Sequence, residues 1–111
     1  MPASLPTSSV FGRRLRTARR VAGLSQVELG AMLGMNEKAA SSRLSRYERG
    51  EREPDHDTLA ALSDALGVPP AYFHASSDAL AEVILLVARL PADRQQGVLN
   101  LIKDYLAPSQ S

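Results

Sequence analysis

Residues 23–34 read GLSQVELGAMLG, and residues 44–50 read LSRYERG. Ser25 and Glu28 have the spacing of a capping box, in which each side chain accepts a hydrogen bond from the other residue's backbone amide at the start of a helix. Gly34 allows the chain to turn sharply just after this helix. The two stretches therefore predict two short helices joined by a tight turn.

Apolar residues recur at helical spacing along most of the remaining chain, so we predict an all-α fold. Ser8 or Ser9 can cap the first helix. The predicted helices cover about residues 10–22, 26–33, 37–48, 55–66, 78–90 and 92–106, with a short element around Tyr72 and Phe73. Gly30 lies inside the second helix, where it costs helix stability, so we expect another helix backbone to approach it closely.

Charge is distributed unevenly, although the formal net charge is only +1. Residues 1–52 hold ten Lys or Arg and four Asp or Glu, a net of +6, whereas residues 53–111 hold three and eight, a net of −5. The first helix has a polar face of Arg13, Arg14, Arg16 and Arg20. Positive charge confined to one region is typical of proteins that bind nucleic-acid phosphates.

The predicted third helix has two distinct faces. Ala40, Leu44 and Tyr47 share one side of a helical wheel and predict its buried face. The opposite side and its flanks present the polar residues Lys38, Ser41, Ser42, Ser45, Arg46 and Arg49. A helix with an apolar back and a basic front is suited to the major groove of DNA.

With these motifs in order, residues 9–74 resemble the lambda-repressor/Cro-like helix-turn-helix domain, often called the XRE type. The resemblance rests on GLSQ at 23–26, Leu33-Gly34, SRYERG at 45–50, Pro54 and the segment from Leu59 to Val68. It implies a five-helix DNA-binding domain and a sequence-specific regulator, usually a repressor that binds a palindromic operator as a homodimer. The partner implied is double-stranded operator DNA.

The resemblance also implies roles for single residues. Aligned on the Glu-Arg-Gly element, the base-reading positions fall on Ser41, Ser42 and Arg46, and Arg favours a bidentate contact to guanine. Gln26 matches a residue that binds backbone phosphate and braces the recognition helix. Arg19 and Glu48 match an ion pair that joins the first helix to the end of the third. Further phosphate candidates are Arg43, Arg49 and Arg52.

The chain departs from the family between Gly34 and Glu48, which lie 14 positions apart. This segment is longer than usual by about one helical turn, roughly 6 Å of rise. The extra residues 35–38 extend either the front of the recognition helix or the turn, and Asn36 as a cap favours the helix. In that case Lys38 becomes an additional base-reading candidate.

The C-terminal part predicts a helical hairpin over residues 76–107, which follows a DNA-binding domain at 9–75. Its apolar stripes either fold back on the domain or pair with a second chain, and their size favours a homodimer. The expected anchors are Val83, Val87, Leu99 and Ile102. We expect a disordered arm at residues 1–8 and a disordered tail at 108–111.

Other classes of function have little support. The sequence contains no cysteine, no Gly-rich phosphate loop and only two isolated histidines, so we expect no enzyme, no metal and no cofactor. The longest apolar run, residues 83–88, is too short to span a membrane. We therefore expect a cytoplasmic, nucleoid-associated protein. The alternatives are an antitoxin with a toxin partner and an interaction module that has lost DNA binding.

Overall fold

The computed structural model describes residues 9–109. Within this range the chain forms six α-helices and one short 3₁₀ helix, and no β-strand. The elements are α1 (Val10–Val21), α2 (Gln26–Met32), α3 (Glu37–Glu48), α4 (His56–Leu66), the 3₁₀ helix (Pro70–His74), α5 (Asp78–Ala88) and α6 (Ala92–Leu106). The all-α prediction is thus confirmed, with a 3₁₀ helix as the fifth element of the N-terminal domain.

Side-chain caps fix the beginnings of most helices. The hydroxyl of Ser9 accepts from the amide of Gly12, so Ser9 caps α1, while the alternative cap Ser8 lies outside the described residues. Ser25 and Glu28 form the predicted capping box at the start of α2. Asn36 caps α3 through the amide of Ala39 at 2.9 Å. Such local hydrogen bonds satisfy amides that have no partner inside the helix.

Two of the four extra residues 35–38, Glu37 and Lys38, belong to α3, and the other two, Met35 and Asn36, lie in the connection before it. Only Leu33 to Asn36 separate the end of α2 from Glu37, the first residue of α3. The extra residues are therefore divided between the connection and the first turn of α3, and Asn36 caps the helix as expected.

The core lies where α1, α2, α3, α4 and the 3₁₀ helix meet. Phe73 of the 3₁₀ helix is fully buried, and its ring packs against Phe11 of α1 with centroids 5.2 Å apart. Aliphatic side chains from four helices complete this core: Leu15, Leu29, Leu44 and Leu62. The α1 prediction needs one correction, because the helix ends at Val21 and Ala22 is exposed.

The C-terminal hairpin is attached through α5. Ala81 of α5 is buried, and Ile84 and Leu85 pack against the core of the domain. Helix α6 packs mainly on α5 and has no buried residue. Helix α5 ends at Ala88 rather than at Leu90, because Pro91 follows so closely that the chain already turns.

The predicted terminal segments fall mostly beyond the described range. The arm at residues 1–8 and residues 110 and 111 of the tail lie outside it. Pro108 and Ser109 follow α6 and are exposed.

Helices α2 and α3 approach closely at Gly30. A Cβ atom added to Gly30 would lie 2.9 Å from the Cα atom of Ala40 and closer still to its methyl group. Because real Cβ atoms need more room than this, glycine is required at the crossing. The expected close approach to Gly30 is confirmed.

We predict that Gly30→Ala lowers the free energy of unfolding by about 1–3 kcal/mol, because overpacking outweighs the better helix propensity of alanine. Gly97 of α6 serves as the control, since nothing lies within 4 Å of an added Cβ there. Gly97→Ala is expected to raise the same free energy by up to about 1 kcal/mol. Urea denaturation measures both, and equal stabilisation by the two variants would contradict the packing argument.

Candidate nucleic-acid interface

The outward surface of α3 carries the residues that the sequence assigned to base reading. Its back is buried through Ala40, Leu44 and Tyr47. The remaining side presents Lys38, Ser41, Ser42 and Arg46, all exposed, which we call the α3 outer face. The structure thus brings these four residues together on one accessible surface. Hydroxyl, ammonium and guanidinium groups in this arrangement can contact base edges.

Two shallow depressions flank the α3 outer face. One lies between α2 and α3 and is lined by Val27, Glu37, Lys38, Ser41 and Ser42. The other brings the guanidinium-bearing Arg43, Arg46 and Arg52 around Ala39 and Ser42. The predicted phosphate candidates Arg43 and Arg52 are therefore neighbours of a base-reading candidate. A cluster of basic side chains beside a helix is suited to hold the phosphate backbone along a groove.

Arg49, another phosphate candidate, already has protein partners. Its Nε donates to Glu51 Oε2 at 2.6 Å, and its guanidinium also contacts the hydroxyl of Ser45. Both Arg49 and Glu51 are exposed, so salt and solvent weaken this pair. The hydrogen bond from Arg49 lowers the pKa of Glu51 below its ordinary value of 4.5. A phosphate at Arg49 would have to compete with the Glu51 carboxylate.

Glu48, the last residue of α3, connects three helices. Only 1% of its surface is exposed, yet its carboxylate accepts from Arg19 Nε at 2.6 Å and from Arg19 Nη2 at 3.1 Å. Gln26 Nε2 donates to it from α2 at 3.2 Å, and Arg16 Nε donates at 3.4 Å. Arg19 also donates to the carbonyl of Leu24. These contacts, which we call the Glu48 cluster, hold the end of α3 against α1 and α2.

Electrostatics keep Glu48 ionised. Burial by itself raises the pKa of a carboxyl group, because it disfavours the charged form. Hydrogen bonds from Arg19, Gln26 and Arg16 outweigh this effect, and the pKa of Glu48 is lowered from the ordinary value of 4.5. Gln26, half-buried at the start of α2, thus contacts the end of α3 through the Glu48 carboxylate.

Sequence reasoning missed two arginines of α1, both of which it placed on the polar face. Arg14 is buried and donates hydrogen bonds to Asp78 of α5 and to the carbonyl of Ala75. Arg16 takes part in the Glu48 cluster. The correction for Arg14 has a local signal, because it lies three residues after Phe11 and four before Ala18, at the edge of the apolar stripe. The contact of Arg16 with Glu48 depends on how α3 packs against α1, so the sequence around Arg16 does not indicate it.

The predicted dimer anchors lie together in the hairpin. Val83, Val87, Leu99 and Ile102 line an apolar groove between α5 and α6, together with Pro69, Ile84, Ala88, Gln95 and Val98. Gln95 Nε2 donates to the carbonyls of Val87 and Leu90 at 3.0 and 3.1 Å, so it ties α6 to the end of α5. The groove is open to solvent in the single chain.

Nothing in the described part of the chain resembles a metal site. Across residues 9–109, no three His, Cys, Asp or Glu side chains are grouped so that they can hold an ion. His56 begins α4, and the ring of His74 packs 5.8 Å from that of Phe11, centroid to centroid. None of the described helices is long and apolar enough to cross a membrane.

Comparison with known proteins gives consistent matches. The sequence profile described as "Helix-turn-helix domain" matches residues 10–74. Repressor protein C2 of Salmonella phage P22 is 37% identical over 65 residues, which are 59% of this chain and 28% of that protein. The HTH-type transcriptional regulator ImmR of Bacillus subtilis is 41% identical over 62 residues, which are 56% of this chain and 46% of that protein. The chain thus spans less than half the length of these two relatives.

A solved structure matches over more of the chain. The crystal structure of transcriptional regulator BswR is similar with a TM-score of 0.77 and 40% sequence identity. The match covers 84% of this chain and 92% of that one. It is therefore longer than the match to the domain profile.

We predict that Glu48→Gln lowers the free energy of unfolding at neutral pH by about 3 kcal/mol, because the Arg19 side chain, only 12% exposed, then loses its negative partner. Since the pKa of Glu48 is lowered on folding, its contribution is fully present above about pH 4.5 and is lost as the pH falls through the folded-state pKa. Denaturation of both proteins from pH 7 downwards measures this, and the difference between them should shrink below about pH 4.5. A difference that is independent of pH would contradict the ionised state of Glu48.

Proposed function

The chain belongs to the helix-turn-helix family of lambda-repressor-like (XRE-type) transcriptional regulators, and from this premise we propose that it represses transcription as a homodimer on a palindromic operator. Each copy of α3 enters the major groove of one half-site. DNA binding and a repressor-like character follow from the family. The operator symmetry, the dimer and the roles of single residues are the proposal.

The observation that carries the proposal is the α3 outer face, held from behind by the Glu48 cluster. Because Glu48 is bonded to α1 and α2, the end of α3 has a fixed direction relative to the rest of the domain. Its exposed side then presents Lys38, Ser42 and Arg46 along a continuous ridge. A rigid helix with polar and basic side chains on its free side is the geometry that direct base reading requires.

Within this arrangement the contacts divide by chemistry. We assign Arg46 to a guanine and Ser41 and Ser42 to weaker base contacts, because hydroxyls donate or accept with little discrimination. Lys38, on the additional turn of α3, reaches base edges near the helix N-terminus. The phosphate contacts fall to Gln26, Arg43, Arg49 and Arg52.

Dimerisation through the hairpin supplies the second half-site. Leu99 and Ile102 of α6 are each 42% exposed, and Val83 of α5 is 45% exposed, so the groove is unfilled in one chain. A second copy placed on it by a two-fold axis would cover the same residues on both chains. Linking two recognition helices in this way raises operator affinity without any additional contact per domain.

We predict that Arg46→Ala weakens binding to the selected operator by about 1–3 kcal/mol and relaxes base preference at one position in each half-site. Arg52→Ala should instead weaken binding to all DNA sequences more evenly, because Arg52 is a phosphate candidate outside the Glu48 cluster and a phosphate contact carries no sequence information. Lys103→Ala, a loss of charge on exposed α6, is the control and should leave both properties unchanged. Selection of bound sequences from random DNA, followed by titration, measures these effects. An Arg46→Ala protein with unaltered base preference would refute the assignment.

We predict that Ile102→Glu abolishes the dimer, because a carboxylate in the apolar groove has no partner after burial. Operator affinity should then fall by about 100-fold or more. Asn100→Glu introduces the same charge into α6 at an exposed residue that does not line the groove, and should remain dimeric. Sedimentation analysis and DNA titration of the two variants decide the point. A dimeric Ile102→Glu protein would rule out this interface.

A further inference from the structure

The connection between the DNA-binding domain and the hairpin is short and ordered. Only residues 75–77 separate the 3₁₀ helix from α5. Ala75 within this connection and Ala81 in the first turn of α5 are each 3% exposed. The hairpin is therefore not joined by a flexible linker, and its base lies against the domain.

Arg14 of α1 bonds this connection directly. Its side chain is 7% exposed, and its Nη1 donates to Asp78 Oδ1 at 2.6 Å while its Nη2 donates to the carbonyl of Ala75 at 3.1 Å. Asp78 is the first residue of α5 and Ala75 lies in the connection just before it, and Arg13 Nη1 lies 3.9 Å from the same oxygen of Asp78. The guanidinium plane fixes the directions of both donated bonds, so the contact restrains rotation as well as distance.

The same helix carries the contact to the recognition helix. Arg19, five residues after Arg14 in α1, is bonded to Glu48 at the end of α3. Helix α1 thus bonds α5 from its middle, through Arg14, and α3 from its C-terminal part, through Arg19. The apolar contacts of Ala81 hold α5 on the domain but depend little on direction, whereas hydrogen bonds depend strongly on it.

We propose that the Arg14–Asp78 contact is a positioning contact that sets the angle between α3 and the dimerisation hairpin, and through it the half-site spacing that the dimer accepts. The inference rests on the proposed homodimer. In such a dimer the two copies of α3 must lie about 34 Å apart, and each added base pair changes this by about 3.4 Å and about a tenth of a turn. A small rotation at the base of α5 is therefore enough to change the preferred spacing.

The first test measures the dimer without DNA. The sequence contains no cysteine, so Glu37→Cys at the exposed start of α3 gives a single spin-label site per chain. Distances between the two labels should form one narrow distribution, which Asp78→Ala broadens or shifts because the hairpin is then free to rotate. Asp93→Ala is the matched control, since Asp93 is also an exposed acidic residue in the first turn of a hairpin helix. It should leave the distribution unchanged.

The second test uses a series of operators whose half-sites differ in separation by single base pairs. Wild-type affinity is expected to fall at least about tenfold for one base pair more or less, and Asp78→Ala should reduce this preference to about threefold or less. Loss of affinity alone, with the spacing preference retained, would reflect a merely structural role and would overturn the inference. So would a label distribution that Asp78→Ala leaves unchanged.

A second variant tests the same inference if Asp78→Ala fails to fold. Combining Arg14→Met with Asp78→Ala removes both partners and leaves no buried charge unpaired, while methionine keeps most of the buried volume. The same broadening and the same loss of spacing preference are expected. A wild-type protein that sediments as a monomer would refute the proposed dimer and the inference together. A wild-type dimer that binds its operator, with a double variant that behaves identically, would refute the inference alone.

Discussion

The burial of one carboxylate, that of Glu48, determines how α3 is oriented in the domain. A buried negative charge is tolerated only when donors surround it, and here the donors come from α1 and α2 while the carboxylate ends α3. The orientation of α3 is thus fixed by directional bonds as well as by the apolar packing of Leu44. A recognition helix needs this rigidity, because base contacts tolerate little displacement.

Two groups stand out among the nine arginines of the N-terminal half. Arg14, Arg16 and Arg19 are directed to carboxylates within the protein and contribute to its architecture. Arg43, Arg46 and Arg52 lie exposed around one depression beside α3. The positive field available to DNA is therefore smaller than the net charge of the first 52 residues indicates, but it is concentrated where the helix meets solvent.

The hairpin buries its apolar residues only in part within the single chain. Helix α5 uses one side, including Ala81, to attach to the domain and leaves Val83 and Val87 on the groove beside α6. Helix α6 has no buried residue, and Leu101, Tyr105 and Leu106 are largely exposed. Apolar surface of this extent accounts for the proposal that a second copy completes the hairpin, because isolated monomers seldom leave so much of it in water.

The sequence by itself determined the features that depend on residues close together in the chain. The bounds of α3 follow from Asn36 and Gly50, and the start of α2 follows from its capping box, because a capping side chain bonds an amide three residues away. Gly30 indicated a close helix crossing, because a glycine inside α2 lowers helix stability unless close packing requires it. The exposed residues of α3 followed from its helical period alone.

Only the tertiary structure decided which charged groups are buried and with what partners. Arg14 meets Asp78 across 64 positions of sequence, a contact that no motif predicted, whereas the pairing of Arg19 with Glu48 across 29 positions was expected from the family resemblance alone. The position of Arg14 at the edge of the apolar stripe indicates burial but does not identify Asp78 as its partner, and no local pattern places Arg16 at Glu48, since an isolated α1 would present both as solvated side chains. Their environment exists only after α3, α5 and the 3₁₀ helix have packed against α1, because desolvation is a property of the assembled core.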